Sequence, residues 1–269
     1  MLKLTDICKT FNPGTVNSKV ALDHVNLEVP AGDFITIIGS NGAGKSTMFN
    51  AICGNFVVDD GKVELDGEDM TFWSEHKRAR SIGHLFQDPM KGTAPHMTIE
   101  ENLAIAYLLA SHSRAALFSR INKADKEKFR ECLAQLDMGL EDRMKSPVGL
   151  LSGGQRQALT LLMATIVTPK LLLLDEHTAA LDPGTADKVL QLTRRIVAEQ
   201  NITCLMVTHN MQQALELGNS TLMMDSGRIV LDVAGEERAG MTVDDLLEKF
   251  AVNAGRTLNT DRVLLSKNA

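Results

Sequence analysis

The spacing of apolar and polar residues divides the chain into three stretches. Residues 2–5 and 20–29 alternate with a period of two, and Asn12-Pro13-Gly14 lies between them as a turn. This predicts two half-buried strands. Phe34-Ile35-Thr36-Ile37-Ile38 is almost continuously apolar and stops at Gly39, the pattern of a strand buried on both faces. A helix is predicted from just after Gly44 to about Cys53. Gly54 and Asp59-Asp60-Gly61 then punctuate, and residues 62–66 resume strand character.

Strand signals thin out from about Asp88 to Ser152. Thr98-Ile99-Glu100-Glu101 has the spacing of a capping box, so a helix starts near Ile99. Residues 125–136 place Phe129, Cys132, Leu133 and Leu136 on one helical face. Afterwards strand and helix alternate again. Residues 171–174 and 203–207 are apolar strands, separated by a helix with Asp182 as N-cap and Pro183 at its first position. Residues 221–224 and 228–231, joined by Ser226-Gly227, predict a closing hairpin. Residues 241–250 are a short last helix, and the polar segment from Asn253 frays. The pattern is that of an α/β fold in a single domain: a core from 1–88 and 160–250, a helical insertion over 89–159, and a tail over 251–269.

Composition excludes more than it selects. The 269 residues are 44% hydrophobic and 23% charged with net charge −6, ordinary for a globular chain and without the basic field that nucleic acid attracts. Cys8, Cys53, Cys132 and Cys204 match no CxxC pattern, which argues against metal or disulfide roles and fits a reducing compartment. No stretch of about eighteen apolar residues is present, so a membrane role must come through a partner.

Three motifs carry chemistry. Gly39-Ser40-Asn41-Gly42-Ala43-Gly44-Lys45-Ser46-Thr47 fits GxxxxGK[ST] between a buried strand and a helix. Such a loop curls successive N–H groups and a positive helix end around a polyanion, with Lys45 on the β and γ phosphates and the Ser46 hydroxyl on Mg²⁺. The apolar strand 171–174 delivers Asp175 and Glu176 to its carboxyl end. There Asp175 suits Mg²⁺ and Glu176 suits orienting or deprotonating a water. Leu151-Ser152-Gly153-Gly154-Gln155-Arg156-Gln157 reads as a capping box before an apolar helix over 158–167. A glycine-rich helix start is also an anion site, and capping alone does not call for two glycines.

Together with Phe86-Gln87 and Thr208-His209, these motifs make the chain resemble the ATP-binding subunits of ABC transporters over essentially residues 1–250. The resemblance implies a P-loop NTPase core with a mixed, largely parallel sheet, an N-terminal antiparallel β region and an inserted helical subdomain. It also implies a head-to-tail pair of ATPase subunits, homodimeric, in which Ser152, Gly153, Gly154 and Gln155 of one cap the γ-phosphate of ATP on the other. By position Gln87 is the glutamine that touches Mg²⁺ and the water, Glu176 the catalytic base, His209 the switch histidine, and Asp182 the end of the D-loop. Phe11 sits where the family stacks an aromatic on adenine; core packing is the alternative for that residue. His177 departs from the family, which commonly has proline there; a changed turn outweighs a catalytic role. His24 and the other histidines have no ligand spacing.

The implied activity is hydrolysis of ATP with Mg²⁺, driving solute import through separate permease subunits at the cytoplasmic face of the membrane, with a solute-binding protein upstream. Residues 92–107 and 175–183 resemble the ATPases of bacterial amino-acid uptake systems, aromatic or branched-chain. The alternative is a nucleic-acid or regulatory machine with the same ATPase head. It is disfavoured because no heptad run separates Lys45 from Ser152, the charge is acidic, and Glu176 and His209 are intact.

Overall fold

A computed structural model describes residues 1–88, 90–111 and 121–253. They form two compact units, one of residues 1–78 with those from Thr203 onward, the other of Ala79–Ile202.

In the first unit, β1 (Leu2–Phe11) pairs antiparallel with β2 (Lys19–Val29) on one side and with β4 (Asp60–Leu65) on the other, and β5 (Glu68–Asp69) extends that sheet. Its alternation is the predicted one: Leu2, Leu4 and Ile7 on β1 and Leu22, Val25, Leu27 and Val29 on β2 are buried. β1 runs six residues beyond the predicted end, because the register slips between Leu4 and Lys9 and breaks the period of two. A second group of strands centres on β3 (Phe34–Gly39), buried throughout, which lies parallel to β8 (Thr203–Val207) and to β9 (Ser220–Asp225). β10 (Arg228–Ala234) closes the group antiparallel to β9. The two-residue turn between β9 and β10 has φ 49° at Ser226 and 81° at Gly227, both left-handed, as a tight hairpin of this twist requires.

Five helices accompany these strands among the described residues: α1 (Lys45–Cys53), α2 (Glu75–Arg78), α7 (Met211–Glu216), α8 (Gly235–Ala239) and α9 (Val243–Asn253). α9 supplies Leu246 and Phe250 to a core with Ile38, Met211, Met223 and Val233. The last helix therefore runs past the predicted end, and the rest of the predicted tail, 254–269, lies outside the described residues. Two arginines that the sequence does not single out are structural. Buried Arg78 donates to the carbonyls of Ala51 and Ile52 at 2.8 and 2.9 Å, satisfying the end of α1. Arg238 does the same for the end of α7, at Ala214 and Gly218.

The second unit pairs β6 (Ile82–Leu85) parallel with β7 (Leu171–Asp175) and carries α3 (Ile99–Ala110), α4 (Lys123–Ala134), α5 (Gly153–Thr165) and α6 (Pro183–Glu199). Thr98 and Glu101 form the full capping box predicted for α3. α4 buries Phe129 and Leu133 as expected, but Leu136 lies beyond its end, where Asp137 turns left-handed with φ 55°. β6 escaped the sequence pattern: Ile82-Gly83-His84-Leu85 is short and holds a glycine. A Cβ at Gly83 would lie 2.9 Å from the Ala164 carbonyl, so the glycine marks a close approach of α5.

Candidate functional site

β3 ends where its backbone must pass unusually close to β9. A Cβ on Gly39, at φ 150°, would sit 2.3 Å from the Met224 carbonyl oxygen. Gly44, at φ 105°, meets Ala21 in the same way at 2.7 Å. Between them the loop is braced by the Gly227 N–H on the Ala43 carbonyl, 2.9 Å, and the Ala43 N–H on that of Ser40, 3.1 Å. Lys45 is buried, and its ammonium donates to the Gly39 and Ser40 carbonyls at 2.7 and 3.1 Å. Asn41, Gly42 and Ser46 are exposed. The N-terminus of α1 has no side-chain cap and no acidic residue in its first turn. Lysine charge and helix dipole thus act at one place with no carboxylate of that turn to cancel them, which suits an anionic ligand.

In the other unit, β7 ends at Asp175 and the chain turns at Glu176 with φ 47°. A left-handed glutamate is sparsely populated and strained by about 1 kcal/mol or more. The turn leaves both carboxylates half-buried, and the Gln87 amide Nε2 donates to Glu176 Oε2 at 3.1 Å. Two residues far apart in sequence, both assigned to one reaction, are therefore in contact. His177 points elsewhere. It is buried, its Nε2 lies 3.2 Å from Thr193 Oγ1 on α6, and burial lowers its pKa to about 4, so the ring is neutral. His209 is half-buried in the loop after β8, which Thr208 anchors through its N–H to the Ile37 carbonyl at 3.1 Å.

The start of α5 is a complete capping box. Ser152 Oγ accepts from the Gln155 N–H at 3.3 Å, and Gln155 Oε1 accepts from the Ser152 N–H at 3.2 Å. Its second glycine has a local cause: a Cβ at Gly154 would lie 2.1 Å from the Thr185 methyl on α6. At Gly153 the nearest atom is the Leu181 side-chain tip, 3.2 Å away. Asp182 caps α6 by accepting from the Thr185 N–H at 3.1 Å, and the Thr185 side chain and backbone hold its carboxyl below the usual range. Phe11, at the end of β1, is 38% exposed and meets Phe56 edge to face at 5.5 Å, so it is not part of the core.

The oxygen donors named by the sequence, Ser46 Oγ, the Asp175 carboxylate and the Gln87 amide oxygen, are hard ligands of the type magnesium takes. With its amide nitrogen turned to Glu176, Gln87 has its oxygen to offer.

A family model described as ABC transporter matches residues 22–179, more than half of the chain. The chain belongs to the ABC transporter family. It is similar to a tyrosine transport ATP-binding protein of Clostridioides difficile, 39% identical over 250 residues, which are 93% of this chain and 98% of that protein. It is also similar to a sulfate/thiosulfate import ATP-binding protein of Shewanella oneidensis, 38% identical over 81% of this chain but 59% of that longer protein. A dimeric ATP-binding cassette solved in a post-hydrolysis state with ADP and phosphate has the same fold, with TM-score 0.75 and 27% identity over 87% of this chain and 98% of that one. This ABC subunit is therefore an ATP-binding α/β P-loop NTPase of the importer-type group, an ATPase coupled to transport. No helix among its described residues is long and apolar enough to cross a membrane.

Proposed function

We propose that the chain powers an amino-acid importer, as one of two identical ATPase subunits on the cytoplasmic face of a permease that a solute-binding protein supplies. The hydrogen bond from Gln87 to Glu176 carries the catalytic part of this reading. Glu176 takes the proton of the water that attacks the γ-phosphorus, and Gln87 and His209 orient that water. The Lys45 ammonium exchanges its loop carbonyls for β- and γ-phosphate oxygens, helped by the N–H groups from Gly39 to Thr47. Ser46, Gln87 and Asp175 would hold the magnesium ion, which would supply positive charge to the phosphate oxygens. Phe11 stacks on adenine, a role its exposure permits. Ser152, Gly153, Gly154 and Gln155 serve the nucleotide of the second copy, with Asp182 beside them at the pair's interface. The amino-acid assignment is supported by the match over nearly the full length of both this chain and the tyrosine transport protein.

Glu176→Gln tests the chemistry. Hydrolysis should fall by about 10²–10⁴-fold, while ATP affinity persists and ATP-bound dimers accumulate in size-exclusion runs. Normal turnover would remove Glu176 from the mechanism. Deleting the chain in its host should abolish high-affinity tyrosine uptake, and unchanged uptake of every amino acid tried would overturn the solute assignment.

A further inference from the structure

Away from the nucleotide loops, β1 and β2 gather three side chains that the sequence scatters. Asp6, Cys8 and His24 each present a ligand atom, and the three atoms lie within 4.8 Å of one another. The backbone is bent to achieve this. Asp6 and His24 both have φ 53°, left-handed without glycine, in the stretch where the pairing of β1 with β2 slips. Such a bend is disfavoured for a residue with a Cβ, and here two of them aim a carboxylate and an imidazole at each other. His24 Nδ1 is 2.6 Å from Asp6 Oδ1, and Cys8 Sγ accepts from the His24 N–H at 3.4 Å. Asn26 ties the two bends together, accepting from the Asp6 N–H at 2.9 Å and donating to the His24 carbonyl at 3.0 Å. The other charges around the imidazole are Asp23, 3.8 Å from its Nε2, and Arg228, whose Nε donates to that same aspartate at 2.8 Å.

An exposed His–Asp pair by itself repays little of this strain, because water screens it and ordering its side chains costs entropy. We propose that Asp6, Cys8 and His24 form a binding site for a borderline divalent transition-metal cation of the zinc type, clipping β1 to β2. One carboxylate oxygen, one thiolate and one imidazole nitrogen match that class, whereas magnesium and calcium take oxygen alone. Bonds of about 2.0–2.3 Å in a tetrahedron separate the ligand atoms by about 3.3–3.8 Å. The present cluster reaches that spacing if the Asp6–His24 pair opens and Cys8 closes in, each by about an ångström. The balance is simple: the thiol proton of Cys8 and any proton held between His24 and Asp6 leave to solvent as the cation enters, and the sulfur stays as thiolate. Cys8 is half-buried and His24 exposed, so the fourth position faces water.

The test uses the full chain, free of nucleotide, and Co²⁺ as an optical probe. One equivalent should produce the near-ultraviolet charge-transfer band of a thiolate–cobalt bond, and added Zn²⁺ should bleach it. Cys8→Ser should lose the band, and His24→Asn, which keeps the left-handed bend, should weaken binding by about tenfold or more. Cys132→Ser should leave both unchanged. In the wild type, Zn²⁺ should also slow alkylation of Cys8, read by mass spectrometry, whether or not the variants fold. A band that survives Cys8→Ser, one that moves with Cys132→Ser, or alkylation of Cys8 at the same rate with and without Zn²⁺ overturns the site.

Discussion

Helices α1 and α5 both open on glycine, yet their first turns are satisfied in opposite ways. At α5 the chain fills the helix end itself, with Ser152 and Gln155 exchanging hydrogen bonds. At α1 no side chain caps the end, and the buried Lys45 ammonium donates to loop carbonyls. With Gly44 at its N-cap, α1 gives up only a few tenths of a kcal/mol by lacking a side-chain cap. α3, α4, α6 and α7 all carry side-chain caps. α8 also lacks a side-chain cap but carries Glu236 and Glu237 in its first turn, whereas α1 has neither, at the loop whose ligand would supply the missing partners. At α5, by contrast, the first turn is already satisfied within the chain.

The sharpest way to break this comparison is Lys45→Ala. Losing hydrogen bonds to a charged ligand costs about 1.5–3 kcal/mol, so ATP affinity should fall roughly 10- to 100-fold by fluorescence titration. Undiminished affinity would remove the contrast with α5.

A drop in pH should weaken the unit that holds α5 and α6. Burial lowers His177 from the usual 6.5 to about 4. Between those values the unfolded chain binds more protons, so stability rises with pH across the window and is lost as pH falls. From neutral pH to about pH 5 the loss should be about 2 kcal/mol from His177. His84, also lowered to about 4 by burial, acts in the same direction. His177→Leu should remove part of the pH dependence in urea melts; an unchanged slope would show that the ring is not neutral in the folded chain.

The two glycines of α5 should respond differently. Gly154→Ala meets the stiff Thr185 side chain and should destabilise by about 1 kcal/mol or more, because overpacking exceeds the gain in helix propensity. Gly153→Ala, facing a mobile leucine tip, should be neutral or slightly stabilising. Equal effects would mean the helix starts are less tightly packed than they look. Ser152→Ala should cost about 1 kcal/mol in thermal melts through the lost cap.

Much of this was legible in the sequence because the signals are local. The run 34–38, the glycines before Lys45, the Thr98–Glu101 box and the Asp182-Pro183 start each depend on neighbours a few residues away, and each element formed where its pattern placed it. β6 was missed because four residues with a central glycine hold too little periodicity. Arg78 was missed because its partners, the last carbonyls of α1, lie far back in the chain. The Gln87–Glu176 contact was not anticipated: the resemblance gave the two residues roles in one reaction, but nothing in spacing pairs residues across that separation.

The chain by itself determined which residues are candidates for chemistry, since a glycine-rich GxxxxGK[ST] loop, a pair of strand-end carboxylates and a helix cap are written in short words. The tertiary structure decided which of them meet and which glycines are obligatory. It turned His177 inward to Thr193, set Gly154 against Thr185, and brought Asp6, Cys8 and His24 to one point. The reason is that side-chain type and short-range periodicity are local properties. Contact distance, burial and the left-handed bends at Glu176, Asp6 and His24 exist only once distant strands have packed.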